Sequence, residues 1–110
     1  MMLPEGASAS SEKNRTIYVA GFGERGSAAG LAALEELRRA GVIAVSDFRA
    51  GTLKAHLRQA DRLGCGFSLI LGDDEAQKGS AVLRNMQTKA QIETLLSSLV
   101  SQVKNSLASS

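Results

Sequence analysis

Short apolar runs and segments of helical period alternate along the chain from residue 16 onward. Residues 16–20 are apolar and β-prone and lead into a glycine turn at residues 21–23, which predicts a strand followed by a loop. Ser27 is placed to cap a helix over residues 28–40, and Gly41 is placed to end it. The leucines of this helix recur on one side: Leu31, Leu34 and Leu37.

A second strand and a second helix follow. Residues 42–46 are apolar enough to predict the strand. Thr52 is placed to cap the helix and Gly64 to end it. The apolar positions of this helix share the helical period: Leu53, Leu57, Ala60 and Leu63.

The second half of the chain opens on its most apolar run. Phe67–Leu71 is almost wholly apolar and ends at Gly72, which predicts a central strand covered on both faces. Asp73–Lys78 suits a single helical turn that Gly79 ends, and residues 80–86 alternate as a fourth strand. The remaining apolar positions predict a long amphipathic C-terminal helix: Ile92, Leu95, Leu96, Leu99 and Val103.

This element order, β-α-β-α-β followed by β-α, predicts an α/β fold. Right-handed crossovers make the first three strands parallel, with helices on both faces, and the last strand is expected to lie antiparallel at an edge. With 110 residues, 44% of them hydrophobic, the chain has the size of one domain, which we place at residues 16–104. Residues 1–15, rich in Ser, Ala and Gly, are interpreted as a linker or leader, and residues 105–110 as a tail.

Composition narrows the class of partner only slightly. The 13 Lys and Arg against 11 Asp and Glu give a formal charge of +2, which tolerates a polyanionic partner without requiring one. Cys65 is the single cysteine, so no disulfide forms within the chain and a reducing, cytoplasmic setting is expected. No apolar run approaches the roughly 20 residues that cross a bilayer, so no membrane partner is expected.

A dinucleotide-binding fingerprint is the first candidate site. Residues 21–26 match G-x-G-x-x-G between a predicted strand and a predicted helix, and Asp47 lies near the end of the second strand. Amides at such a helix N-terminus hold a pyrophosphate, and an acidic residue in the Asp47 position binds ribose hydroxyls. A complete dinucleotide fold needs a second mononucleotide-binding half, which the C-terminal half lacks. The competing interpretation gives the glycines a role in the turn and in close packing.

The second predicted helix carries two further candidates. His56 has no second histidine or cysteine nearby, so it is interpreted as a surface or boundary residue and not as a metal ligand or a triad member. Lys54, Arg58 and Arg62 form a basic stripe, which either contacts phosphates or is simply the solvated side of the helix.

Charged residues around the last two predicted strands are the strongest candidates. Asp73, Asp74 and Glu75 follow the third strand, where open α/β sheets present their ligand-binding loops. Asp73 is expected to cap the turn that follows, whereas Glu75 is a candidate to accept hydrogen bonds from base amines. Arg84 lies in an alternating strand, so its charge predicts an exposed face from which it can donate to guanine or to a phosphate.

Four motifs give the chain a family resemblance. They are Gly51-Thr52-Leu53-Lys54, Ala60-Asp61-Arg62-Leu63-Gly64, Gly72-Asp73-Asp74-Glu75 and Gly79-Ser80-Ala81-Val82-Leu83-Arg84-Asn85-Met86. Together they resemble the C-terminal anticodon-binding domain of histidyl-tRNA synthetases, shared in outline with the threonyl, prolyl and glycyl enzymes of class II. The resemblance extends over residues 17–103.

The resemblance implies a fold and a function. The fold is a three-layer α/β/α domain with a five-stranded mixed, mostly parallel sheet and three helices. Its function is recognition of the histidine anticodon, without a catalytic residue, metal or cofactor of its own. ATP and Mg²⁺ would act in a separate catalytic domain of the parent, a homodimeric, cytoplasmic histidine-tRNA ligase. In the family the residues at the positions of Glu75 and Arg84 contact anticodon bases, and the loop that holds Asp47, Arg49 and Gly51 lies close by.

The chain departs from the family pattern in one place. The family usually has a Gly-Glu-Gln turn after its fourth strand, where this chain has Thr88-Lys89-Ala90-Gln91, so the fifth strand is expected to be short or displaced. Two other functions stay open. One is a nucleotide-binding module that uses residues 21–26, and the other is a regulatory relative that keeps the fold without anticodon recognition.

Overall fold

Five strands and four helices form in the computed structural model, which describes residues 15–47 and 49–109. In chain order they are β1 (Ile17–Gly21), α1 (Glu24–Arg39), β2 (Ala44–Val45), α2 (Leu53–Leu63), β3 (Phe67–Leu71), α3 (Asp73–Lys78), β4 (Ser80–Asn85), β5 (Gln91–Leu95), a 3₁₀ turn (Leu96–Ser98) and α4 (Leu99–Ser109). The segment interpreted as a linker lies, apart from Arg15, outside the described residues.

The sheet is mixed, with strand order β2-β1-β3-β4-β5. Strand β1 runs parallel to β2 and β3, whereas β4 runs antiparallel to both β3 and β5. The expected five-stranded mixed sheet is therefore confirmed. The fourth strand is antiparallel as expected, but it lies inside the sheet, and β5 forms the edge.

Alternation along the strands divides the core between the two faces of the sheet. Ile17, Leu69 and Leu83 point to the face that α1 and α4 cover. Tyr18 and Ile70 point to the opposite face, which α2 covers. This confirms the three-layer arrangement. The helix count is four, since the six-residue α3 is a helix in its own right.

Several predicted boundaries are confirmed, whereas β2 is shorter than the predicted 42–46 and two helices begin at other residues than predicted. Strand β3 and helix α3 have the predicted limits. Helix α2 begins after Thr52, whose side chain accepts from the Ala55 amide at 3.1 Å, and ends at Gly64 in the left-handed conformation. Helix α1 begins at Glu24, so Ser27 lies inside it and does not cap it. Leu31, expected on the apolar side of α1, is about half exposed.

The predicted C-terminal helix begins too early. Residues Ile92 and Leu95 lie in β5, which pairs with β4 along its whole length, and the helix starts only at Leu99. A five-residue strand in full register is neither short nor displaced, so that expectation is also wrong. Helix α4 continues to Ser109 and includes most of the segment that the sequence suggested as a tail.

Candidate nucleic-acid interface

One half of the sheet lacks a helix on one of its faces. Helix α2 packs on β1 and β3, and the same face stays open on β4 and β5. We call this region the open face, and its residues are Val82, Arg84, Gln91, Glu93 and Leu95. Leu95 is 58% exposed and Val82 is partly buried, so the open face offers an apolar surface beside charged groups. Such a mixture suits unstacked bases.

Arg84 is held on the open face by its neighbours in the sheet. It lies between Ser68 on β3 and Gln91 on β5, and its Nη1 donates to Gln91 Oε1 at 2.8 Å. Its Nε is buried without a hydrogen-bond partner among residues 15–47 and 49–109. A guanidinium has five N–H donors, so most of the donor capacity of Arg84 is not used by Gln91.

Glu75 caps the start of α3, a role that was expected of Asp73 and not of Glu75, so that assignment is wrong. Its Oε1 accepts from the Gly72 amide at 2.8 Å and so satisfies a donor at the start of α3. The carboxylate lies beside the ring of Phe22, because a Cβ on Gly72 would meet both groups within 2.8 Å. Phe22 packs into the core on the α2 side of the sheet, which places Glu75 at the margin of that face.

Glu75 and Arg84 share a face but are not neighbours. Arg84 is aligned with Ser68, and Gly72 lies four residues farther along the same chain direction. At about 3.3 Å per residue, this separates the two positions by about 13 Å. The backbone positions that carry the two side chains are therefore well separated along the strand direction, with Glu75 near one end of the open face and Arg84 toward the other.

The loop that follows β2 is organised around the carboxylate of Asp47. Its Oδ1 accepts from the amide and Nε of Arg49 at 3.0 and 3.2 Å, and its Oδ2 accepts from Gln59 Nε2 at 3.2 Å. The backbone hydrogen bond from Arg49 is the main cause that lowers the pKa of Asp47, and the pKa of Arg49 is raised by the same pair. Arg49 remains 90% exposed, and Gly51 is also exposed.

Parallel strands bring this loop to the same edge of the sheet as Glu75. Strands β2, β1 and β3 run in one direction, so the segments after their carboxyl ends meet at one edge. Asp47, Phe22 and Glu75 follow these three strands in turn. Arg84 lies farther down the open face, toward the opposite edge.

His56 is fully inside the protein, so its interpretation as a surface or boundary residue is wrong. It is 1% exposed, with Nδ1 2.8 Å from the hydroxyl of Tyr18 and Nε2 3.0 Å from the carbonyl oxygen of Gly21. Burial lowers the pKa of His56 and raises that of Tyr18, which keeps both groups neutral near pH 7. A lone histidine gives no sequence signal for this arrangement.

The glycine fingerprint is a packing device in this fold. A Cβ on Gly26 would lie 2.5 Å from the Leu71 carbonyl oxygen, and one on Gly21 would lie 2.7 Å from the Gly26 carbonyl oxygen. Asp73 Oδ1 accepts from the amides of Arg25 and Gly26 at 2.9 and 3.0 Å. Asp73 thus caps α1 instead of the turn that follows it. A carboxylate of the chain itself holds the amides that would receive a pyrophosphate.

The basic stripe on α2 is exposed, and two other kinds of site, for a metal ion and for a membrane, were also considered. Lys54, Arg58 and Arg62 are all exposed on α2, beside the face that carries the other candidates. Within the described ranges, no group of three or more His, Cys, Asp or Glu side chains is arranged to hold a metal ion. None of the helices in that part of the chain has the length and apolarity needed to cross a membrane.

Comparisons with known proteins place these features in a family context. A family model described as "Anticodon binding domain" matches residues 17–106. The histidine-tRNA ligase of Acetivibrio thermocellus is 39% identical over 92 residues, which cover 84% of this chain and 22% of that protein. The histidine-tRNA ligase of Dehalococcoides mccartyi strain 195 is 36% identical with the same coverage. This chain thus spans about a fifth of the curated relatives that it matches.

Solved structures agree in fold. The apo histidyl-tRNA synthetase of S. aureus superposes with a TM-score of 0.75 at 28% identity, over 84% of this chain and 27% of that one. The RNA binding domain of threonyl-tRNA synthetase from Cryptosporidium parvum Iowa II gives a TM-score of 0.73 at 24% identity, over 84% and 23% of the two chains. The second likeness supports the fold alone.

Proposed function

Because the chain belongs to the anticodon-binding domain family, we propose that it binds transfer RNA and recognises the histidine anticodon. The observation that carries this proposal is the open face of β4 and β5, with Arg84 on it and Glu75 at its margin. A carboxylate accepts from base amines and a guanidinium donates to guanine or phosphate, so the two side chains offer complementary contacts to unpaired nucleotides.

Each region of the site has a distinct task in this proposal. Glu75 and Arg84 contact bases at opposite ends of the open face, and the apolar side chains of Val82 and Leu95 support bases between them. Asp47, Arg49 and Gly51 form the loop that approaches the RNA at the carboxyl edge of the sheet. Phosphates are contacted by the basic stripe on α2, which consists of Lys54, Arg58 and Arg62.

The proposal also includes a longer protein, of which this chain would be one domain. The relatives are named histidine-tRNA ligases, and this chain spans about a fifth of their length. We place attachment of histidine to tRNA, with its ATP and Mg²⁺, in a separate catalytic domain of a homodimeric, cytoplasmic enzyme. The role of this domain is then to select the tRNA.

Charge-neutral variants of the two proposed base contacts test the proposal. In Glu75→Gln the amide oxygen can still accept from the Gly72 amide, so the start of α3 is preserved while the negative charge is lost. In Arg84→Gln the guanidinium is lost from the open face. Each change is expected to weaken binding of histidine tRNA by roughly 1–3 kcal/mol in a titration at fixed salt.

Two variants with the same charge changes on the opposite helix provide the control. Glu36→Gln and Arg39→Gln alter exposed positions of α1, on the other side of the sheet from the open face. They should bind histidine tRNA like the unmodified chain. Equal affinity of all four variants and the unmodified chain, or equal losses in all four, would contradict base contacts by Glu75 and Arg84.

A further inference from the structure

A partly exposed aromatic ring lies at the carboxyl edge of the parallel strands. Phe22 stands between Gly21 and Gly23, directly after the end of β1. Among the aromatic residues that the structure describes, Tyr18 and Phe67 are buried, whereas Phe22 stays partly exposed. Open α/β sheets bind their ligands beyond the carboxyl ends of parallel strands, so this ring lies where a ligand is expected.

The turn at Phe22 is held by two neighbouring segments. The Phe22 amide donates to the Leu71 carbonyl oxygen at 3.0 Å, which ties the turn to the end of β3. Gly23 continues the chain with a φ of +79°, and a Cβ there would lie 2.5 Å from Asp73 Oδ1. The backbone that carries the ring is thus fixed before RNA arrives, which reduces the ordering cost of binding.

The ring of Phe22 and the carboxylate of Glu75 meet at Gly72. A Cβ on Gly72 would lie 2.7 and 2.8 Å from Cζ and Cε2 of the ring, and 2.8 Å from Glu75 Oε1. The glycine therefore leaves the room in which the two groups lie side by side. Oε1 already accepts from the Gly72 amide, whereas Oε2 has no hydrogen-bond partner in the part of the chain that the structure describes.

These two groups offer different contacts to the same kind of ligand. A nucleobase has a flat π face and carries N–H donors along its edge. An aromatic side chain stacks on the face of any base, and a carboxylate accepts from the amines at the edge of some bases. A ring beside a free carboxylate oxygen can therefore hold one unpaired nucleotide by its face and by its edge.

We propose that Phe22 is the stacking residue for the nucleotide whose edge contacts Glu75. The inference rests on the proposed function, since Glu75 is one of the base contacts in it. Phe22 supplies affinity without sequence preference, because every base has a π face. Glu75 supplies discrimination, because only some bases present an N–H donor to it.

The same substitution at two phenylalanines separates stacking from packing. Phe22→Leu removes the π face and keeps an apolar side chain in the turn. Phe67→Leu is the matched control, because Phe67 lies near the amino end of β3, on the face that α1 and α4 cover. Phe67 is only 6% exposed, so its substitution disturbs the core at least as much as that of the partly exposed Phe22.

The first measurement is a binding titration at fixed salt, with histidine tRNA and with the same tRNA carrying another anticodon. Phe22→Leu should weaken binding of both tRNAs by about three- to tenfold and keep the ratio of the two affinities within about twofold, because stacking tolerates any base. Glu75→Gln should reduce that ratio. Phe67→Leu should bind both tRNAs like the unmodified chain.

Three results would overturn the stacking role. They are full affinity in Phe22→Leu, equal losses in Phe22→Leu and Phe67→Leu, and a lost preference for histidine tRNA in Phe22→Leu, which would mean that the ring only positions Glu75. In each case the proposed function stands if the unmodified chain prefers histidine tRNA. If the unmodified chain binds both tRNAs equally while Phe22→Leu alone weakens both, the stacking role stands and anticodon recognition is wrong.

The second measurement detects the contact itself. 5-Iodouridine replaces each anticodon base of histidine tRNA in turn, and the complex with an excess of the unmodified chain is irradiated with near-ultraviolet light. An iodinated base that stacks on an aromatic ring forms a covalent cross-link to it. At one anticodon position the cross-linked peptide should carry the modification on Phe22, and Phe22→Leu should abolish it. No cross-link to Phe22 from any anticodon position would overturn the proposal.

Discussion

Lys89 adopts a backbone conformation that residues other than glycine rarely adopt. Its φ is +68°, in the left-handed region that glycine favours, within the hairpin that joins β4 to β5. Asn85 supports this turn, because its side chain accepts from the Gln87 and Thr88 amides and its backbone pairs with Lys89 and Ala90. A lysine in this backbone conformation is a local cost that the hairpin tolerates.

Lys89→Gly should therefore stabilise the protein. Left-handed backbone costs an L residue roughly 1–2 kcal/mol, and the greater freedom of glycine in the unfolded chain offsets part of the gain. We expect a net increase of about 0.5–1 kcal/mol in the free energy of unfolding, measured by denaturant titration. Lys89→Ala keeps the strained conformation and should show no such gain. A gain of equal size in both variants would assign the effect to the lost charge.

At the scale of elements, α1 contacts the ends of β1 and β3. This contact shapes the carboxyl edge of the parallel strands, where Phe22 and Glu75 lie. Gly26 lets the first turn of α1 approach the backbone at Leu71 and Gly72, and Asp73 returns from the start of α3 to bind the amides of α1. This contact joins segments that are far apart in the sequence, and it holds the turn at Phe22 beside Glu75.

Gly26→Ala tests the importance of this approach. The added Cβ would lie 2.5–2.9 Å from backbone atoms of Leu71 and Gly72, which cannot move as a side chain can. We expect a loss of about 1–3 kcal/mol in the free energy of unfolding. Gly51→Ala is the control, since a Cβ there meets nothing within 4 Å, and it should leave stability nearly unchanged. A neutral Gly26→Ala would show that α1 can move away from β3 at little cost.

The same elements show how much of the fold the sequence predicts. Strand β3 was predicted correctly because a continuous apolar run ends at a glycine, and α2 because a capping threonine and a terminal glycine frame it. The apolar periodicity alone does not indicate strand β5, because Ile92 and Leu95 also fit the helical period of the segment that follows. Only the family resemblance implies a fifth strand. Lys89 stands where a glycine would have indicated a hairpin.

The candidate site was predictable in composition but not in arrangement. Alternation along β4 predicts the exposed face on which Arg84 lies, and the end of β3 predicts the edge at which Glu75 lies. Their separation depends on strand register, which the sequence does not specify. The bonds of His56 and the cap supplied by Asp73 join residues 35 to 48 positions apart, so no local pattern indicates them.

For the whole molecule, the small net charge limits how strongly electrostatic attraction alone can hold RNA. A formal charge of +2 gives weak general attraction to a polyanion. In the proposed function, the basic stripe on α2 adds phosphate contacts that do not depend on sequence. The proposed function therefore assigns discrimination between tRNAs to base contacts at the open face and the sheet edge. A regulatory relative that has lost anticodon recognition would keep the weak, salt-dependent part of binding and lack the discrimination.

An anticodon exchange tests the central claim most directly. Binding of the unmodified chain is measured at one fixed salt concentration, with histidine tRNA and with the same tRNA in which only the three anticodon bases are replaced. Since each lost base contact costs roughly 1–3 kcal/mol, we expect histidine tRNA to bind at least about tenfold more tightly. Equal affinity for the two tRNAs would contradict anticodon recognition by this domain.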